Sequence, residues 1–517
     1  MQKEIFRSEI ILLGAALFNI IFWNELLGVN VLLFTLFIVS GLWYIERERF
    51  LERPVAITAA MTVLLSFLVI WHNSLIVKVI YSINFAVMVG LIQQREIRFL
   101  GSALVLYAAN WLTSIYMLLK ELKKLPILRG GQKVGQGLKL AVLPSVILPV
   151  FYMIYYFANP KFAIVSNQFW GKIIEWLSFD WNFLRILFFI VGLKNVGAIF
   201  LKSQWIDVAK YEQNKTDTLI EENYEDRPFT LWYFTESNAL RSAIMLMISL
   251  NLLLFLNNML DFNYVWLGGA EVKTAVELKQ YVHEGTYILI VGIILAIAVL
   301  MLLYKGSLNF VKNTPEMLKI LRGLGLAWLA QNAVLAISVG MRNWQYIDHY
   351  GLAYKRMGVF IFLALVLYGL WLMYLKINEK RTLFFFISRG AWAIYAVMVA
   401  ACFINWDVFI TKYNLTATTK TQSVDVPFLL NDISDKNLYL LHEYKDKLIK
   451  KMPNKPFNED EYWATQAPEF PNQAAKIAFL DDALKQKRAN FEAKTNGKTW
   501  LSWNYPDYRN AEFIKTH

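Results

Sequence analysis

A single cysteine in 517 residues, Cys402, excludes an intrachain disulfide. It sits inside an apolar run, so it says nothing about redox compartment. Histidine is nearly as scarce. His72, His283, His349, His442 and His517 are scattered, with no H-E-x-x-H and no Cys/His metal spacing. G-x-S-x-G, a phosphate-cradling glycine-rich loop and a nucleophilic cysteine context are also missing. No catalytic, cofactor or metal residues can therefore be named; the reading leans away from an enzyme, with acid–base chemistry by Asp348 and His349 in an intramembrane transferase left as the open alternative. Fixed-period repeats and low-complexity tracts are absent as well. The start, MQKEIFRSEII, runs into an apolar stretch without a small-residue cleavage site, and we read it as retained.

Charge is thin too, at 18% of residues against 57% hydrophobic, which is far too apolar for a soluble protein of this size. The apolar residues come in runs of roughly 15 to 22, about the length that crosses a ~30 Å hydrocarbon layer. The 18 Trp and 26 Tyr suit a protein with two water–lipid interfaces. These features predict an all-α fold: a polytopic transmembrane helix bundle of about 11–13 spans, with the lipid bilayer as solvent.

Twelve candidate spans are Glu9–Trp23, Leu26–Tyr44, Ala56–Trp71, Leu75–Ile92, Phe99–Leu119, Leu140–Ala158, Phe183–Phe200, Ala239–Leu260, Tyr287–Tyr304, Leu318–Gly340, Met357–Ile377 and Leu383–Ile404. Between the sixth and seventh, Phe162–Leu177 mixes Phe162, Phe169, Ile173 and Trp176 with Lys172 and Glu175. It reads as an amphipathic helix lying on the membrane. Residues 1–404 thus form the bundle, 405–431 a polar connector, and 432–517 a small soluble helical region, read as extracytoplasmic. In that region Ser434–Lys451 and Asn472–Lys494 are the expected helices, with apolar faces at Leu438, Leu441, Tyr444 and Leu448 and at Ile477, Leu480, Leu484 and Phe491.

The net charge of +12 sits almost wholly in residues 1–404, because the last 113 residues hold 16 Lys/Arg against 15 Asp/Glu. An excess in short loops between apolar runs is a threading signal, not a nucleic-acid footprint. From the sixth span onward, alternate loops carry 17 basic residues: six in 120–139, four in 202–227, four in 305–322 and three in 376–381. The opposite loops carry seven. This puts 120–139 in the cytoplasm, and the turn after Gly340 and the C-terminal region outside. Ahead of the fifth span, Lys3, Arg7, Arg47, Arg49, Arg53, Arg95 and Arg98 share one side. If Phe99–Leu119 crosses once, the two halves demand opposite assignments.

Three blocks carry a family resemblance. They are Tyr264-Val-Trp-Leu-Gly-Gly269 with Leu278-Lys-Gln-Tyr-Val-His-Glu-Gly-Thr-Tyr287; Met341-Arg342 through Tyr346-Ile-Asp-His-Tyr-Gly-Leu-Ala-Tyr-Lys-Arg356; and Asn405-Trp-Asp-Val-Phe-Ile-Thr-Lys-Tyr-Asn-Leu415 with Val424-Asp-Val-Pro-Phe-Leu-Leu430 and Ile433-Ser434. They resemble the bacterial polytopic membrane proteins of domain-of-unknown-function group 4173, whose sister is group 4153. The chain departs from that pattern at Ala353, where Thr is usual, and at His283-Glu284, where Arg is usual first. The resemblance covers roughly residues 141–441. It implies a multi-pass protein of the bacterial inner (cytoplasmic) membrane and no particular activity.

Two sets of polar residues stand out. At helix ends, His283, Glu284, Arg342, Tyr346, Asp348, His349, Tyr350 and Arg356 are expected on the outer face. Ionisable groups at that depth are costly unless paired, so they read as a partner-binding cluster or, more blandly, as interfacial anchors. Within the helices, Lys194, Asn251, Gln331 and Asn332 read as interhelical glue or as a path. The reading that follows is a non-catalytic sensor or assembly component with an envelope protein as partner and no nucleic acid. The alternative is a transporter or flippase whose discriminating mark is one continuous polar cavity.

Overall fold

The computed structural model describes residues 2–122, 144, 147–177, 181–202, 206–220, 236–267, 285–304, 314–417, 425–452, 470 and 472–516. Among them the structure is helical, and the one extended pairing is an antiparallel bridge between Thr218 and Arg381. Among the described residues, eight helices are long and apolar enough to cross a membrane, and three shorter apolar helices accompany them. An apolar chain in lipid must satisfy its backbone within each segment, which is why helices dominate. The chain forms two compact units, residues 1–213 with 497–508, and 214–496 with 509–517.

The first unit contains α1 (Gln2–Phe22), α2 (Val29–Ile45), α3 (Arg53–His72), α4 (Leu75–Gln93), α5 (Leu100–Leu122), α6 (Ile147–Ala158), α7 (Pro160–Leu177), α8 (Trp181–Phe200) and α9 (Val208–Gln213). The α3–α4 turn is only two residues long. Asn73 takes the left-handed conformation (φ 48°), and the Ser74 hydroxyl caps the Val77 amide. At the opposite end, buried Arg49 donates to the carbonyls of Ile92 (3.1 Å), Leu91 and Gln94, tying up the last carbonyls of α4. Arg7 and Lys202 both pair with Glu46 at that same end. This basic end stands opposite the Asn24–Gly28 and Asn73–Ser74 turns.

The lie of α5 bears on the charge conflict. Its Ala103 carbonyl meets Gly90, Asn110 bonds Gln93, Trp111 donates to Asn195 (2.9 Å), and Leu118 packs on Gly197. Gly90 and Gln93 belong to the last turn of α4, and Asn195 and Gly197 to the last two turns of α8. Gln93 also donates to the Ala198 carbonyl (3.0 Å), so those two helix ends are adjacent. Between Ala103 and Leu118 the helix rises about 22 Å, yet its partners stay at the basic end. Helix α5 thus packs on the adjacent ends of α4 and α8, and by length and composition it is able to cross a membrane.

The predicted surface helix is helical, as α7, and pairs with α6 across a one-residue turn. Asn159 caps α7 through Lys161 and Phe162, while Trp170 donates to the Tyr152 hydroxyl (2.8 Å) and Tyr156 to Asn167 (3.1 Å).

The second unit contains α10 (Glu236–Asp261), α11 (Gly285–Leu303), α12 (Pro315–Tyr350), α13 (Tyr354–Asn378), α14 (Leu383–Ala401), α15 (Trp406–Thr416), α16 (Leu438–Glu443), α17 (Lys445–Lys451) and α18 (Gln473–Thr495). The last helix, α19 (Tyr505–Thr516), gives its first turn to the first unit and the rest to the second. One apolar core, including Leu240, Ile293, Leu300, Leu321, Val339 and Met373, joins α10 to α13. Another, including Ile347, Ile410, Leu429, Leu441, Leu480 and Phe491, gathers α15 to α18 under the end of α12. The expected helix Asn472–Lys494 appears as α18, capped by Asn472 on the Ala475 amide (2.9 Å). The expected Ser434–Lys451 appears as a short 3-10 turn followed by α16 and α17, interrupted at Tyr444.

The largest departure from the sequence reading is α12. Its apolar part ends near Gly340, but the helix runs on to Tyr350, 36 residues in all. No breaker intervenes before Gly351, and one-turn contacts such as His349 Nδ1 with the Gln345 carbonyl (3.0 Å) carry it through the polar stretch. At about 54 Å it exceeds the hydrocarbon thickness.

Candidate functional site

The turn between α12 and α13 occupies only Gly351–Ala353, and three side chains from outside it hold it shut. Gly351 sits at φ 78°, ψ −168°, a region essentially restricted to glycine. Asn414 of α15 accepts the Leu352 amide (2.6 Å) and donates to the Leu352 carbonyl (2.9 Å). The Arg356 guanidinium donates to the carbonyls of Tyr350 (3.0 Å) and Gly351, and lies 4.6 Å from the Tyr346 ring centre. Tyr346 in turn packs on Tyr350, ring centres 4.8 Å apart, one helical turn on. Asn343 donates to the Arg356 carbonyl (2.8 Å). Backbone groups that the turn would leave bare are thus satisfied by side chains.

Beneath the turn lies a buried carboxylate, Asp407, in the first turn of α15. It accepts from the Tyr354 hydroxyl (2.5 Å) and from Ser434, which itself receives the Lys436 ammonium (3.2 Å). Asn437 donates to Thr411 (3.1 Å) and to the Leu429 carbonyl (3.0 Å). Lys487 of α18 reaches the carbonyls of Leu430 (2.7 Å) and Ile433 (2.8 Å). Burial pushes its ammonium down to about 8, against a partial pull upward from Asp435 and Asp407. At Asp435 burial works to raise the carboxyl, but the Lys494 bond (2.7 Å) and neighbouring ammonium groups win and hold it below its usual range. Asp425 goes the other way, its carboxyl raised by burial despite Arg356 nearby. Chemically the Ser434 junction is a clamp. Its hydroxyl proton points at a carboxylate and its lone pair at an ammonium, which fixes the oxygen instead of freeing it for attack.

Along the spans, α10 and α12 run parallel and bond at heptad spacing. Asn251 donates to the Leu324 carbonyl (3.1 Å), Asn258 to the Gln331 carbonyl (3.0 Å), and Trp266 to the Ser338 hydroxyl (2.9 Å). Gln331 also donates to the side-chain Oδ1 of Asn251 (2.8 Å). At the end of this ladder Arg342 forms a buried ion pair with Asp261 of α10. Seven-residue steps on α12, met by steps of seven and then eight from Asn251 to Asn258 to Trp266 in the π turn after α10, keep the polar rungs on one seam.

Of the predicted outer cluster, the structure gathers Tyr346, Tyr350 and Arg356 at the turn. It sends Arg342 sideways to Asp261 and places Asp348 and His349 half-buried on the same helix. His283 and Glu284 lie outside the described residues. Of the predicted intrabundle set, Asn251 and Gln331 meet, whereas Asn332 closes onto its own helix at the Trp328 carbonyl (2.8 Å). Lys194 belongs to the first unit and stands 3.4 Å from the Trp111 ring centre.

Sequence reading missed Asp261, Tyr354, Asp407, Asn414 and Ser434 as members. Four of them lay in plain view inside the motif blocks, but spacing along the chain does not show that residues some fifty apart meet. Among the described residues no three His, Cys, Asp or Glu side chains gather to hold a metal ion.

A family model described as a domain of unknown function, DUF4153, matches residues 10–444. No curated protein and no solved structure matches the chain.

Proposed function

From the premise that the chain belongs to the DUF4153 family of multi-pass membrane proteins, we propose that it acts as a non-catalytic sensor or assembly component of the bacterial inner membrane. Kinship with group 4173 within that circle rests on the Arg342–Arg356 and Asn405–Leu415 blocks. The observation that supports the reading is the closed turn. Arg356, Asn414 and Asn343 spend their hydrogen bonds on backbone, building a rigid end that a partner docks against. The polar ladder between α10 and α12 supports it as well, since rungs that bond each other and backbone behave as glue.

The basic end of the first unit, with Arg7, Arg47, Arg49, Arg53, Arg95 and Lys202, then faces the cytoplasm, and the Asn24–Gly28 and Asn73–Ser74 turns face out.

Affinity purification from native membranes, with the C-terminus intact, tests the reading. An envelope protein should co-purify, and replacing Arg342 or Asp348 should reduce its recovery while membrane insertion persists. Failure of insertion would reduce these residues to topology markers. Uptake of a solute or lipid by liposomes holding the purified protein alone would favour the transporter alternative.

A further inference from the structure

The C-terminal stretch that returns to the first unit, residues 497–508, is built inside out. Ser502, Asn504 and Asp507 are 7%, 1% and 8% exposed, while Trp500 and Trp503 are 67% and 43% exposed. In water the opposite segregation is stable. Each buried polar group has an inward partner. Ser502 donates to Glu25 and accepts the Leu26 amide (2.7 Å), Asn504 donates to Asp507 (2.7 Å), and Asn73 donates to the same carboxylate (3.3 Å). The Trp503 carbonyl accepts the Val29 amide (3.1 Å), and Gly28 is what lets the strap approach: a Cβ there would stand 2.5 Å from that oxygen.

The depth of this strap is fixed by what it touches. The Tyr505 ring stacks on Trp71 at 4.7 Å and 6°, and Trp71 is the second-last residue of the span Arg53–His72. Asn73, which grips Asp507, belongs to the two-residue link to the span Leu75–Gln93. A segment bonded to that link lies at the edge of the hydrocarbon, where exposed indole rings are at home.

We infer that residues 497–508 form a membrane-interface anchor, with Trp500 and Trp503 seated in the lipid headgroup layer at the end of the bundle away from Arg7 and Arg49. The occupant of the aromatic face is lipid. The strap also joins the α1–α2 and α3–α4 turns, so its seating steadies both hairpins from outside.

The experiment uses the full chain in nanodiscs, with Cys402 replaced by Ser. Nitroxide labels are attached in the variants Trp500→Cys and Trp503→Cys, and in Gln486→Cys on the hydrophilic, exposed face of α18 as the water-facing reference. Collision with oxygen and with a soluble nickel complex is read at each site. Lipid seating requires an oxygen-to-nickel ratio several-fold above that at 486 for both strap positions. A ratio equal to that at 486 means the face looks into water and overturns the inference. Low collision with both agents means protein covers the face, which overturns it as well. Both labels replace outward side chains, and near-native thermal stability of each variant checks that the strap stays folded.

Discussion

The carboxamide of Asn414 fills the place where a Cβ on Gly351 would stand, and with the same oxygen it accepts the Leu352 amide at 2.6 Å. One side chain from α15 therefore both closes the α12–α13 turn and makes glycine obligatory at its first residue. The backbone there, at φ 78°, adds a second reason.

Gly351→Ala should thus cost about 1–3 kcal/mol from backbone strain, with the clash adding to it. Thermal unfolding of the purified protein in detergent reads this out. Asn414→Ala opens the space but strands both Leu352 groups, at about 1–3 kcal/mol each. Combining the two should therefore relieve part of the alanine clash. Strict additivity would argue against the shared site.

The Arg342–Asp261 pair makes a different forecast. Removing one partner of a buried ion pair leaves an uncompensated charge and costs about 3–5 kcal/mol, whereas replacing both with apolar residues of like volume costs far less. Arg342→Met and Asp261→Leu should each be markedly destabilising, and the double variant should recover most of the loss. A double variant worse than either single would mean the pair does not act as a unit.

The ladder predicts modest, paired effects. Asn251→Leu and Gln331→Leu should each cost about 0.6–2 kcal/mol, with a coupling energy in a double-mutant cycle of similar size. A loss of solute flux without a loss of stability would instead mark these residues as lining a path.

Lys487 gives a pH dependence. Burial lowers its folded-state value to about 8 from the ordinary 10.5. Below pH 8 the amine is charged in both states and its burial penalty is constant. Between about 8 and 10.5 the unfolded chain holds a proton that the folded one has released, so stability rises with pH in that window. Lys487→Met should flatten the rise, as measured by unfolding midpoints at pH 7, 9 and 10 for the two proteins.

Hydrophobic run lengths marked most of the helices in advance, from Arg53–His72 to Leu383–Ala401, because lipid leaves the backbone no other solution. The apolar face from Ile477 to Phe491 and Gly497 just beyond the end bounded α18 to within a residue, since those signals are local. The end of α12 was misplaced by ten residues, because falling hydropathy marks where lipid ends and not where a helix ends. Of the site, Tyr346, Tyr350 and Arg356 were legible as neighbours along one stretch. Their clasp by Asn414, and the burial of Asp407 beneath Tyr354, were not.

Composition and periodicity alone thus determined the solvent of this protein, its helical class and the basic loops, for each is a property of consecutive residues. Tertiary structure alone decided that α5 packs on the ends of α4 and α8, that Arg342 turns to Asp261, and that residues 497–508 return to the first turns. Those outcomes depend on which surfaces meet, and side chains well separated along the chain leave no periodic trace in the sequence when they do.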